Sequence, residues 1–292
     1  MDSSLRSLGT DYIDIYQVHW PDLHTAPEET AGALEELVAA GKIRHVGVSN
    51  YDVDEMHALG RFGRVETVWP PYHLFRREIE EATLPYAAAH DIGALVFGPL
   101  AHGLLSGRMR ESSTFDADDW RGKSPDFTAE IFRRSLAVVE RLKGGFARQK
   151  DTSLPQLAVG WTLANPAVHV TIVGARRPSQ LDETAQAADI ELSTSDLQAI
   201  DEMLTGAVPL GARIRRACER RHKLAKLALT SSTSAGLPVL GGAGVSEAGG
   251  RYRDRLLALH RRPLSRSSAL LPGASALGRT AAAGGAASES VC

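Results

Sequence analysis

The chain has 292 residues, 43% of them hydrophobic and 23% charged, enough for one large domain with a sizeable buried core. A formal net charge of -2 gives no reason to expect nucleic acid or an acidic membrane as partner. No apolar run approaches the roughly 20 residues a membrane helix needs, and the opening MDSSLRSLGTDY lacks the basic and apolar regions of a signal peptide.

The average charge hides a division. From Ala212 to Cys292 there are 14 Lys and Arg against 4 Asp and Glu, whereas residues 1–211 hold 19 against 31. The two unequal segments read as a folded region, 1–211, and a basic low-complexity tail, 212–292. Stretches such as STSAGLPVLGGAGVSEAGG carry too few large apolar residues to offset the entropy of ordering them, so the tail is expected to be disordered, apart from an amphipathic pattern at 214–229. Both cysteines, Cys218 and Cys292, lie in the tail without zinc or disulfide spacing, which makes a reducing, cytoplasmic setting the default.

In chain order, the text opens as if inside a helix, with Leu5 and Leu8 at i, i+3 and Gly9 as a stop. Runs rich in β-branched and aromatic residues then predict strands at Tyr12–His19, Ile43–Val48, Val65–Trp69, Ala94–Phe97 and His169–Val173. Helical periodicity predicts helices between and after them, over 28–40, 52–59, 77–90, 128–150, 154–163, 178–188 and 195–203. Pro27 with Glu28 and Glu29 opens the first of these, Gly41 closes it, and Ser195 with Asp196 starts the last. Such alternation predicts an α/β protein with a parallel sheet, and a strand spacing of roughly 20 to 30 residues is that of a (β/α)8 TIM-type barrel. About five of the eight βα units are visible. Leu100–Phe127, rich in Gly, Ser and Asp, reads as a functional loop at the active face or, as the alternative, a locally disordered one.

Strand ends are the places to seek chemistry in such a barrel. The first ends in YQVHWPD, setting His19 where strand becomes loop, although a strand-end histidine alone is more often structural. The second ends in GVSNYD, and Ser49 with Asn50 serves a turn as readily as a ligand. Phe97 precedes a Gly-Pro turn, where an aromatic ring stacks on a planar ligand or simply fills the core. The last runs into IVGARRPSQLDE, whose glycine, two guanidinium groups and helix N-terminus suit an anion such as phosphate, with a solvated charge pair as the alternative.

Taken together, LGTDYIDIYQVHWPD, GKIRHVGVSN, PPYHLFRREIE, GPLAHGLLSG and IVGARRPSQL resemble the aldo/keto reductases, from about Ser4 to Thr205. The resemblance implies an oxidoreductase that reduces aldehydes or ketones with NADP(H) bound across the barrel mouth. It implies carbonyl orientation by His19, and contact with the nicotinamide carboxamide by Ser49 and Asn50. Phe97 stands at the stacking aromatic, Pro99 and Leu100 along the pyrophosphate, and Gly174, Arg176, Arg177, Gln180 and Glu183 around the adenosine and its 2'-phosphate. Trp69 and Thr184 depart from the family's usual glutamine and asparagine. The family's catalytic aspartate, tyrosine and lysine belong to βα units that are expected upstream of Met1. The chain as written is therefore expected to be impaired; the alternatives are a non-catalytic NADP(H)-binding or interaction protein and a non-functional reading frame.

Overall fold

The computed structural model describes residues 1–22, 24–127, 129–207 and 255–260. Five parallel strands form a curled sheet in sequence order: β1 (Ile13–Val18), β2 (Ile43–Ser49), β3 (Thr67–Trp69), β4 (Gly93–Phe97) and β5 (Val168–Ala175). Each expected strand is present, displaced at its ends by up to two residues. A sixth strand, β6 (Arg255–His260), lies antiparallel along β5, with Val170 opposite His260 and Ala175 opposite Arg255. The rest of the expected tail, with its helical pattern at 214–229, falls outside the described residues.

Among the described residues, eight α-helices accompany the strands: α1 (Asp2–Leu8), α2 (Pro27–Ala39), α3 (Val53–Gly60), α4 (Thr83–Ala89), α5 (Ala129–Arg141), α6 (Leu154–Ala164), α7 (Pro178–Ala185) and α8 (Thr194–Met203). Their boundaries follow local chemistry. Asp52 accepts from the Glu55 N–H and Glu55 reaches back to the Asp52 N–H, closing a capping box at α3. Ser153 and Gln156 do the same at α6. The last helix is capped by Ser193, with Ser195 inside it, because Ser193 Oγ accepts from the Asp196 N–H. The expected helix over 77–90 divides into a short turn at Glu78–Glu80 and α4. Pro85 has no N–H to give the carbonyl four residues back, which is tolerated in the first turn of α4 but opposes one helix running on from Glu78–Glu80. The long helix over 128–150 changes to π geometry at Leu142–Ala147.

Alternation along the strands divides the side chains into two populations. Val46, Val48, Val68, Ala94, Val96, Thr171 and Val173 face the helices and are 0–1% exposed. Ile15, on the concave side of β1, is 40% exposed. One concave row runs Gln17, Gly47, Thr67, Gly93 across four strands. Gln17 Nε2 donates to Thr67 Oγ1 at 2.7 Å over the intervening glycine, where a Cβ would stand 2.1 Å from that hydroxyl. Large and small side chains thus alternate along the row, as barrel interiors require.

Candidate functional site

All five parallel strands deliver their C-terminal ends to one rim. At its first tips, Asn50 sits in the left-handed region at φ 61°, a conformation that asparagine tolerates better than most residues. Its Nδ2 donates to the His19 carbonyl at 3.0 Å and to Ser49 Oγ at 3.1 Å. Ser49, 1% exposed, donates onward to the Trp69 carbonyl at 2.9 Å. This chain of hydrogen bonds ties three strand ends together and leaves Asn50 Oδ1 without a protein partner among the described residues. The His19 ring is exposed at the same rim, 6.2 Å from Trp20.

Trp69 and Phe97 meet edge to face, with centroids 5.9 Å apart. The indole Nε1 of Trp69 is buried and has no hydrogen-bond partner among the described residues. Beyond Phe97 the backbone turns through Gly98 at φ 72° and buried Pro99 into three consecutive left-handed residues, Ala101, His102 and Gly103. The segment after them is packed in place. His102 stands edge-on to Trp120 at 4.8 Å, Trp120 meets Phe127 at 5.8 Å, and Arg121 Nη1 donates to the His102 carbonyl at 3.0 Å. Hydrogen bonds from Arg121 hold the Asp119 carboxyl below the usual aspartate range.

A cavity of about 710 Å³ opens at the other end of the rim, between this segment, the start of α6 and α7. Leu100, expected along the pyrophosphate, and Gly174, Gln180 and Glu183, expected around the adenosine, all line it. Gln180 also has a structural task, since its Oε1 accepts from the N–H groups of Arg176 and Arg177 at 2.8 and 3.1 Å. Thr184 lines the wall but spends its hydroxyl on its own helix, donating to the Gln180 carbonyl at 2.8 Å. Arg176 and Arg177 are exposed at the head of α7 and lie outside the lining. Arg176 lies close enough to Asp119 for its charge to help lower that carboxyl.

Several lining residues were not singled out from sequence. Arg108 follows directly on the quoted GPLAHGLLSG segment, and a basic residue there was the available signal. Lys143 and Arg148 fall within the helical pattern over 128–150, and nothing in LKGGFARQK announces a π turn. Among the described residues there is no cluster of His, Cys, Asp and Glu suited to a metal ion, and no helix is long and apolar enough to cross a membrane.

A parallel α/β half-barrel with its strand tips gathered at one rim defines the class of the protein. Residues 1–205 match the aldo/keto reductase family model, and the chain belongs to that family. It is 40% identical to the aldo-keto reductase YhdN of Bacillus subtilis over 213 residues, which cover 72% of this chain and 64% of that relative. It is 32% identical over 204 residues to an NADH-specific methylglyoxal reductase of Escherichia coli, covering 69% and 62%. Among solved structures it resembles the glycerol dehydrogenase AKR11B4 of Gluconobacter oxydans, with a TM-score of 0.67, 35% identity and coverage of 72% and 64%. The chain thus spans a little under two thirds of the length of these relatives.

Proposed function

We propose that this chain carries the cofactor groove of an NADP(H)-dependent reductase of aldehydes and ketones. The observation that supports this most is one rim with two polar ends, the linked His19, Ser49 and Asn50 at one and the cavity of Leu100, Gly174, Gln180 and Glu183 at the other. When bound, the nicotinamide cofactor supplies the hydride. Asn50 Oδ1 accepts from the carboxamide N–H, Phe97 offers a ring face beside the nicotinamide, and His19 orients the carbonyl oxygen at the exposed rim. Pro99 and Leu100 shape the pyrophosphate path, and Arg176 and Arg177 meet the 2'-phosphate as forked, permanently charged donors. One relative is an NADH-specific reductase, so the preference for NADP(H) rests on those two guanidinium groups.

The groove's fit is uneven. The adenosine end has room and polar lining, whereas at the amide end a bulky indole, its N–H without a partner among the described residues, stands in place of a side-chain amide. Of the family's acid-base set, the reading assigns His19 alone. Without a positioned acid, turnover falls by about 10^2 to 10^4. Titration with NADPH and NADH, followed by tryptophan fluorescence, tests the proposal because Trp20 and Trp69 lie at the amide end. Saturable quenching, tighter for NADPH, is expected, with slow NADPH oxidation on adding an aldehyde. Quenching by neither nucleotide overturns the proposal. Binding without any aldehyde-dependent oxidation assigns the chain to nucleotide binding alone.

A further inference from the structure

α5 runs as an ordinary α-helix to Arg141, and the next six residues, Leu142–Ala147, wind as a π turn. π turns are rare and are found frequently at functional sites. Here Lys143, Ala147 and Arg148 all reach the wall of the 710 Å³ cavity. Lys143 Nζ donates to the Gly107 carbonyl at 3.1 Å, and Arg110 Nη1 approaches the same oxygen at 3.3 Å. Gly107 is left-handed at φ 67°, and a Cβ on it would lie 3.4 Å from both Lys143 Cδ and Leu154 Cδ2. Its neighbours Ser106 and Arg108 line the cavity too, and Ser106 Oγ accepts from the Arg108 N–H at 3.3 Å.

The lysine's charge is not used by the protein, since among the described residues no carboxylate forms an ion pair with it. An ammonium group carries three donors, and one of them holds Gly107. The acidic groups on the wall, Asp151 and Glu183, are outnumbered by Arg108, Lys143 and Arg148. A cavity so lined suits an anionic ligand over a neutral one of the same shape.

We propose that Lys143 is a positioning residue of this cavity: from the π turn it pins the Gly107 carbonyl and so fixes the Ser106–Arg108 turn against the phosphates of a bound nucleotide. The proposal rests on the nucleotide reading of the cavity and adds to it a residue on a helix outside the strand tips. Calorimetric titration of the full chain with ADP and with adenosine separates the two. Lys143→Met is expected to weaken ADP binding at least tenfold and adenosine binding less than twofold, and Lys143→Arg to restore most of the loss. General damage to the fold cannot produce that split. Gly107→Ala strains the same turn from the other side and is expected to give the same split, which keeps the test open if Lys143→Met misfolds. Unchanged ADP binding in Lys143→Met, or equal weakening of both ligands in variants with a native near-ultraviolet spectrum, overturns the proposal while leaving the nucleotide reading intact. A wild-type chain that binds neither NADPH nor ADP overturns both.

Discussion

Replacing Asn50 by glycine and, separately, by alanine distinguishes what its side chain does from what its backbone requires. Both variants remove the hydrogen bonds to the His19 carbonyl and Ser49 Oγ. The first lies at the exposed rim, where water replaces it, and the second is partly buried, so together they are worth about 1.5 kcal/mol. Alanine must also hold φ at 61°, which costs a residue with a Cβ about 1–2 kcal/mol. Its stiffer unfolded chain returns about 0.5 kcal/mol of that. Asn50→Gly is therefore expected to lose about 1.5 kcal/mol and Asn50→Ala about 2.5 kcal/mol, read as the free energy of urea unfolding at matched m-values. If Asn50 also receives the cofactor amide, NADPH affinity falls equally in both. Alanine no worse than glycine in the urea series would refute the backbone argument; unequal losses of affinity would refute the side-chain one.

Two further substitutions probe the sheet and its pH response. Gly47→Ala drives a Cβ to within 2.1 Å of Thr67 Oγ1, so it should break the Gln17 to Thr67 bond and lower stability by about 1–3 kcal/mol, measured by thermal melt; a loss below about 0.5 kcal/mol would show that the row can relax at no cost. His73 is 2% exposed, and burial, followed by the charges of His102 and Arg76, holds its pKa well below the ordinary histidine value. Its neutral Nδ1 accepts from the Phe75 N–H at 3.3 Å. A folded pKa below the unfolded one means that the unfolded chain takes up the proton first, so this contribution is complete above pH ~6.5 and shrinks by up to about 1.4 kcal/mol for each pH unit below it. His73→Asn should flatten the fall in stability between about pH 6.5 and 5, and an unchanged slope would show that other groups cause it.

Much of the frame was legible in the residues because it depends on short-range pattern. β-Branched runs of period two locate strands, and the same alternation settles which valines face the helices. The tips were legible for a related reason, since a strand that ends in Ser-Asn or His-Trp-Pro presents polar atoms wherever the sheet goes. What pattern did not reveal depends on contacts far apart in sequence. Lys143 reaches Gly107 across 36 residues through a change of helical winding that Gly144 and Gly145 permit but do not specify. Arg176 and Arg177 were readable as charges, but not their place at the outer edge of α7, where Gln180 ties down their backbone. Arg255–His260 has a strand-like core, LLAL, set in text whose composition argues against order, and only its pairing with β5 makes it a strand.

That pairing sets up a competition. A strand has two sides, and β4 already occupies one side of β5, so its remaining amides and carbonyls can accept a single neighbour. With residues 255–260 seated there, nothing else can roll the sheet shut at that seam. Any strand that would close the cylinder at that seam must first displace residues 255–260, and this short strand and a finished barrel become rivals for one berth.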